Sequence, residues 1–220
     1  MFLDRFEAGF RLAEALGSCD SDACLLAIPR GGIEVGHAMS LCLKRPLDVI
    51  IPRKIVSPEN PELALGAMTL DGSIEMNREL VARLGLKEAD IEELVLPVRA
   101  EISRRLRLYR GGQPSPQLEG REVILIDDGL ATGYTMMAAI KSVCREHPRR
   151  LVVAVPVSPA STCEHLRPLV DELVVLHQAH ESCFAVSAFY SNFRDLRDEE
   201  LVKLLHDRTS ATQKSAQSNS

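Results

Sequence analysis

Asp127 and Asp128 stand side by side, followed closely by Gly129, Ala131, Thr132, Gly133, Tyr134 and Thr135. Two adjacent carboxylates are hydrogen-bond acceptors that can grip neighbouring hydroxyls. The small and hydroxyl-bearing run after them suits an anion, because it exposes backbone N–H groups and adds hydroxyl donors. The two halves want ligands of opposite character, since a bare phosphate is repelled by paired acids. A phosphorylated sugar satisfies both. Its ring hydroxyls would meet Asp127 and Asp128 while its phosphate reaches Thr132 and Thr135. Turn chemistry alone would account for one Asp, not for the whole ordered set.

These residues need a rigid mount. Val123, Ile124, Leu125 and Ile126 are apolar, three of them β-branched, and predict a strand buried on both faces. Residues 136–143 are rich in helix formers, so the turn feeds a helix whose first N–H groups and dipole favour an anion. A second unit has the same design. An apolar strand over residues 24–28 ends in Pro29-Arg30-Gly31-Gly32, and a helix follows with Ile33, Val35, Met39 and Cys42 as core contacts. Gly31 and Gly32 permit close backbone approach, and Arg30 offers a fork of donors for phosphate oxygens. Arg53 and Lys54, at the end of a strand predicted over residues 47–51, form a third candidate.

Residues 123–135, Val-Ile-Leu-Ile-Asp-Asp-Gly-Leu-Ala-Thr-Gly-Tyr-Thr, resemble slot for slot the signature of the type I phosphoribosyltransferases, which use 5-phosphoribosyl 1-pyrophosphate (PRPP). The resemblance to the wider family covers roughly residues 24–176, with the signature its specific part. It implies transfer of the 5-phosphoribosyl group from PRPP to a nitrogenous acceptor, such as a nucleobase, with release of pyrophosphate. By this resemblance Asp127 and Asp128 hold the ribose hydroxyls, and Gly129, Ala131, Thr132, Gly133, Tyr134 and Thr135 surround the sugar phosphate. Arg30, Gly31 and Gly32 would take the pyrophosphate, and Arg53 and Lys54 would neutralise it as it departs. Glu59, Asn60 and Glu62 fall where the family carries a loop that closes over the site. Mg²⁺ is implied, bound mainly through PRPP and water, with no dedicated protein cage. A homodimer is the arrangement the resemblance implies.

The acceptor side is less defined. Phe184 and the Arg194-Asp195-Leu196 run resemble the end of the hypoxanthine-guanine enzymes, in which an aromatic stacks on the purine. The purine-recognising Lys expected within residues 155–160 is absent, and the acid expected after the aromatic falls on Tyr190 or Ser191. Core packing of Phe184 and Phe189 is the alternative. A non-catalytic, PRPP-sensing regulatory protein is the competing reading of the whole chain.

Bulk properties set the frame. The 220 residues are 45% hydrophobic, enough for one sizeable core, and 26 Lys plus Arg against 31 Asp plus Glu give a net charge of -5. That balance argues against a chain devoted to nucleic acid. No apolar run approaches the ~20 residues a membrane helix needs. With Asp4, Arg5, Glu7 and Arg11 in the first residues, no signal peptide is expected there. The six scattered cysteines read as reduced thiols of a cytoplasmic protein. Strands alternating with helices predict an α/β, doubly wound, mainly parallel sheet, with a small hood from the terminal segments. One domain is expected over residues 1–208, with residues 209–220 a disordered tail. Residues 52–76 are expected to be irregular apart from a small hairpin around Asp71-Gly72. Arg104, Arg105, Arg107 and Arg110 are expected to form a solvated helical face paired with Glu101.

Overall fold

The computed structural model describes residues 1–58, 63–68, 74–180 and 184–206. Five parallel strands form the central sheet: β1 Cys24–Ala27, β2 Leu47–Val49, β6 Glu122–Ile126, β7 Arg150–Pro159 and β8 Glu172–Ala179, in the order β2-β1-β6-β7-β8. The predicted α/β class with a doubly wound parallel sheet is what is found. β6 lies in the middle of the sheet, and Val123, Ile124, Leu125 and Ile126 are fully buried. Each such aliphatic side chain contributes roughly 1.5–3 kcal/mol through burial.

Alternation along β6 divides two cores. Val123 and Leu125 pack with Met136, Ala139, Ile140 and Val143 of α5 Tyr134–Cys144 on one face. Ile124 and Ile126 pack with Leu12 of α1 Arg5–Leu16 and with Val35 and Met39 of α2 Gly31–Leu43 on the other. The strand order reverses between β1 and β6, which pair from Cys24↔Val123 to Ala27↔Ile126. Both anion-compatible loops therefore leave adjacent strands at their carboxyl ends, where ligands collect in sheets of this kind.

Residues 52–76 carry an antiparallel sheet, β3 Arg53–Val56, β4 Ala64–Met68 and β5 Ile74–Met76, in which the β4–β5 pair supplies the two arms of the expected hairpin and β3 stands where irregular chain is expected. All three strands are short, and β3 shows no clear period. What holds them is tertiary, since Ile55 and Leu65 are buried against Val95 of α4 Glu88–Arg110. The expected turn at Asp71-Gly72, the loop residues Glu59, Asn60 and Glu62, and the tail at 209–220 lie outside the described residues. Asn77 caps α3 Arg78–Arg83, accepting a hydrogen bond from Leu80 N at 3.1 Å. α4 runs unbroken through Pro97. The arginine face on α4 is only partly solvated: Arg110 is buried, with Nε 2.9 Å from Asp48 Oδ1 and Nη2 donating to Val49 O at 3.0 Å.

The hood is made by both terminal segments. Phe2 bridges Tyr190 in parallel, Phe2 N donates to Phe189 O at 2.7 Å, and Ser191 N donates to Phe2 O at 2.8 Å. Phe2, Ala8, Val157 and Tyr190 form its buried centre, with Phe184, Val186, Phe189 and Phe193 packed around them. Among the described residues no helix is long and apolar enough to cross a membrane.

Candidate active site

The acidic turn is braced from below and from the side. Asp128 N donates to Asp127 Oδ1 at 2.8 Å, so the first carboxylate is held by the backbone of the second. Burial, reinforced by the neighbouring Asp128 charge, raises the Asp127 carboxyl well above the ordinary range. Asp128 is held differently. Arg5, at the start of α1, donates from Nε to Asp128 Oδ2 at 2.7 Å and from Nη1 to Arg194 O at 2.9 Å. The Arg5 guanidinium also lies 3.8 Å from the Phe193 ring centre and 3.9 Å from Glu34 Oε2. Burial raises the Glu34 carboxyl, against the opposing pull of Arg5.

The glycines make this arrangement possible. A Cβ on Gly31 would sit 1.8 Å from Asp128 Oδ2 and 2.8 Å from Arg5 Nε. One on Gly32 would fall 2.8 Å from Ile126 O. The two anion loops are thus packed through each other at the switch point. Gly129 is covered by the hood, since its Cβ would meet Val186 at 2.6 Å. Tyr190, buried, donates from its hydroxyl to Asp128 O at 2.6 Å, and burial drives its own ionisation far upward.

Beyond the acids the turn opens to solvent. Ala131, Thr132, Tyr134 and Thr135 are exposed, while Gly133 is buried and starts α5 at φ 74°. Thr162, in α6 Ala160–Leu166, braces the run by donating to Ala131 O at 2.7 Å, and its methyl would lie 2.7 Å from a Cβ on Gly133. Beside this turn lies a cavity of about 400 Å³ lined by Pro29, Arg53, Lys54, Arg105 and Thr135 among others. Lys54 Nζ stands 4.8 Å from the Tyr134 ring centre, between this cavity and a second one.

The structure brings Arg53, Lys54 and Thr135 to one wall and places Asp127, Asp128, Gly31 and Gly32 together at the switch point. Arg30 is elsewhere. Its guanidinium donates to Leu196 O and lies 3.8 Å from Asp198 Oδ1, so it faces the segment leading into α7 Asp198–His206 and does not line the cavity. Phe184 packs 5.5 Å from Phe189 within the hood. Two residues beside the site lie outside the sequence expectations for it: Arg5, and Arg105, which is expected only on a solvated helical face paired with Glu101. Each left the same faint signal. Arg5 is in helical register with the buried Ala8 and Leu12, and Arg105 with Ile102 and Tyr109, so both are charges on an apolar stripe.

Comparison with known proteins identifies the family. Residues 11–182 match the phosphoribosyl transferase domain family. A Mycobacterium tuberculosis protein named "Putative phosphoribosyl transferase Rv0571c" is 36% identical over 207 residues, covering 93% of this chain and 46% of that protein. The chain therefore spans about half the length of the curated relatives it matches. The crystal structure of TT1426 from Thermus thermophilus superposes with a TM-score of 0.82 at 36% identity, covering 94% of this chain and 98% of that one. A sheet whose switch point carries the acid pair and the glycine loop, together with a match across most of the sequence, places this chain in the phosphoribosyl transferase family.

Proposed function

We propose that this chain transfers the 5-phosphoribosyl group from PRPP to a nitrogenous acceptor, releasing pyrophosphate. The observation that carries the reading is the abutment of three features: the acid turn after β6, the open helix start of α5, and the cavity walled by Arg53 and Lys54. They match the three parts of PRPP, which are a diol, a terminal phosphate and a diphosphate.

Breaking the bond from ribose C1 to the diphosphate leaves positive charge on the sugar and negative charge on the leaving group. Asp127 and Asp128 orient the ribose and favour its developing cation, while Arg53, Lys54 and the helix-start amides stabilise the anion. Hard carboxylate oxygens at the rim suit Mg²⁺ held largely by the diphosphate and water; among the described residues no group of three or more metal-binding side chains is assembled. When bound, the ion would neutralise charge on the leaving diphosphate. Residues 1–208 act as one unit in this reading, because the hood over the acids needs Phe2 as much as Tyr190.

The test is to incubate the protein with PRPP, Mg²⁺ and a panel of purines, pyrimidines and amines while measuring pyrophosphate. Acceptor-dependent release supports the transferase. PRPP binding with no turnover on any acceptor favours a PRPP sensor, a reading to which the engagement of Asp128 by Arg5 lends weight.

A further inference from the structure

Glu101, on α4, shares its carboxylate among three guanidinium groups. Oε1 accepts from Arg105 Nε at 2.6 Å and from Arg53 Nη2 at 3.1 Å, and Oε2 accepts from Arg104 Nε at 2.8 Å. These hydrogen bonds, first from Arg104 and then from Arg105, hold the Glu101 carboxyl down at about 2. One negative charge thus faces three positive ones, and Lys54 adds another cation nearby. Arg53 comes from β3 and Arg105 from α4, yet both line the same cavity with Pro29 and Thr135. Stability is a weak reason for such a hub, since half-exposed ion pairs contribute little. An excess of cations tied to one wall of a cavity is better suited to an anion that enters it.

We propose that Arg105 binds the diphosphate group of the substrate, and that Glu101 is the positioning residue that presents Arg53 and Arg105 to it. The proposal rests on the PRPP reading above and adds a cation from outside the motifs that mark the chain. A guanidinium suits the role because its planar fork pairs with two phosphate oxygens at once.

Calorimetric titration of inorganic diphosphate, PRPP and ribose 5-phosphate, with Mg²⁺ present, separates the outcomes. Arg105→Gln is expected to weaken diphosphate and PRPP binding about tenfold or more, the scale of a lost charge-assisted hydrogen bond, and to leave ribose 5-phosphate unaffected. Arg105→Lys should recover part of the loss, and it stands in if the Gln variant fails to fold. Glu101→Gln gives the sharper reading. Removing a negative charge from the wall would by electrostatics alone tighten an anion, whereas loss of positioning loosens it. Unchanged diphosphate affinity in Arg105→Gln, or tighter affinity in Glu101→Gln, overturns the proposal while the PRPP reading stands. Wild-type protein that binds none of the three ligands overturns both.

Discussion

Arg5 Nε lies 2.7 Å from Asp128 Oδ2, although 123 residues separate them in the chain. The pair ties the first turn of the first helix to the acid turn at the sheet's switch point. Both side chains are largely buried, at 7% and 16% exposure. Removing one partner of such a pair leaves a charge without compensation, at a cost of about 3–5 kcal/mol. Arg5→Met is therefore expected to lower stability by about that amount in denaturant titration. The double variant Arg5→Met, Asp128→Asn should recover a large part of it. Additive effects in this cycle would show that the two residues do not act as a pair.

Gly31 is the counterpart of that contact. A methyl group there would occupy the place of the Asp128 carboxylate, at 1.8 Å from Oδ2. Gly31→Ala should displace Asp128 and reduce PRPP affinity by about tenfold or more, since a misplaced first contact is costly. Adding Asp128→Ala should relieve the fold without restoring the affinity. Normal PRPP binding by Gly31→Ala would show that the packing has slack.

Asp127 has its carboxyl raised by burial and by the adjacent acid. Between the ordinary carboxylate range and this raised value, the folded protein holds a proton that the unfolded chain has released. Stability then falls as pH rises through that window and stays reduced above it. Asp127→Asn keeps the acceptor oxygen for Asp128 N and removes the charge. It should raise the thermal midpoint at neutral pH and flatten the pH dependence of stability, while abolishing transfer. A midpoint lower than wild type at pH 7 would contradict this assignment.

Tyr190→Phe removes the hydroxyl that donates to Asp128 O at 2.6 Å and leaves the ring in the hood. The expected loss is about 1 kcal/mol, with up to ~3 kcal/mol if the carbonyl stays dry. Hydrogen exchange of residues 128–130 should accelerate in the variant. Unchanged protection there would mean that the hood does not steady the acid turn.

The order of strands and helices around the two anion loops was legible from local pattern. β6 announces itself through four consecutive apolar residues, three of them β-branched. α1 does so through its helical period and its stop at Gly17, and α3 through its Asn77 cap. The acid pair and both glycine loops were legible too, because their chemistry is carried by residues close together in the chain. The antiparallel pairing of β4 and β5 was legible as a hairpin, whereas β3 was not, since burial against α4 rather than any internal period holds it.

What the sequence alone determined is which residue types stand at the ends of β1 and β6, and hence the ligand chemistry those ends can support. Only the tertiary structure decided which distant charges meet them. Arg5 reaches Asp128, Arg105 meets Arg53 across Glu101, and Arg30 turns toward Leu196. A charged side chain on an apolar stripe carries no address in one dimension. Its partner is set by how helices dock on the sheet, because a charge taken from water is tolerated only where packing delivers an opposite charge or a hydrogen-bond acceptor.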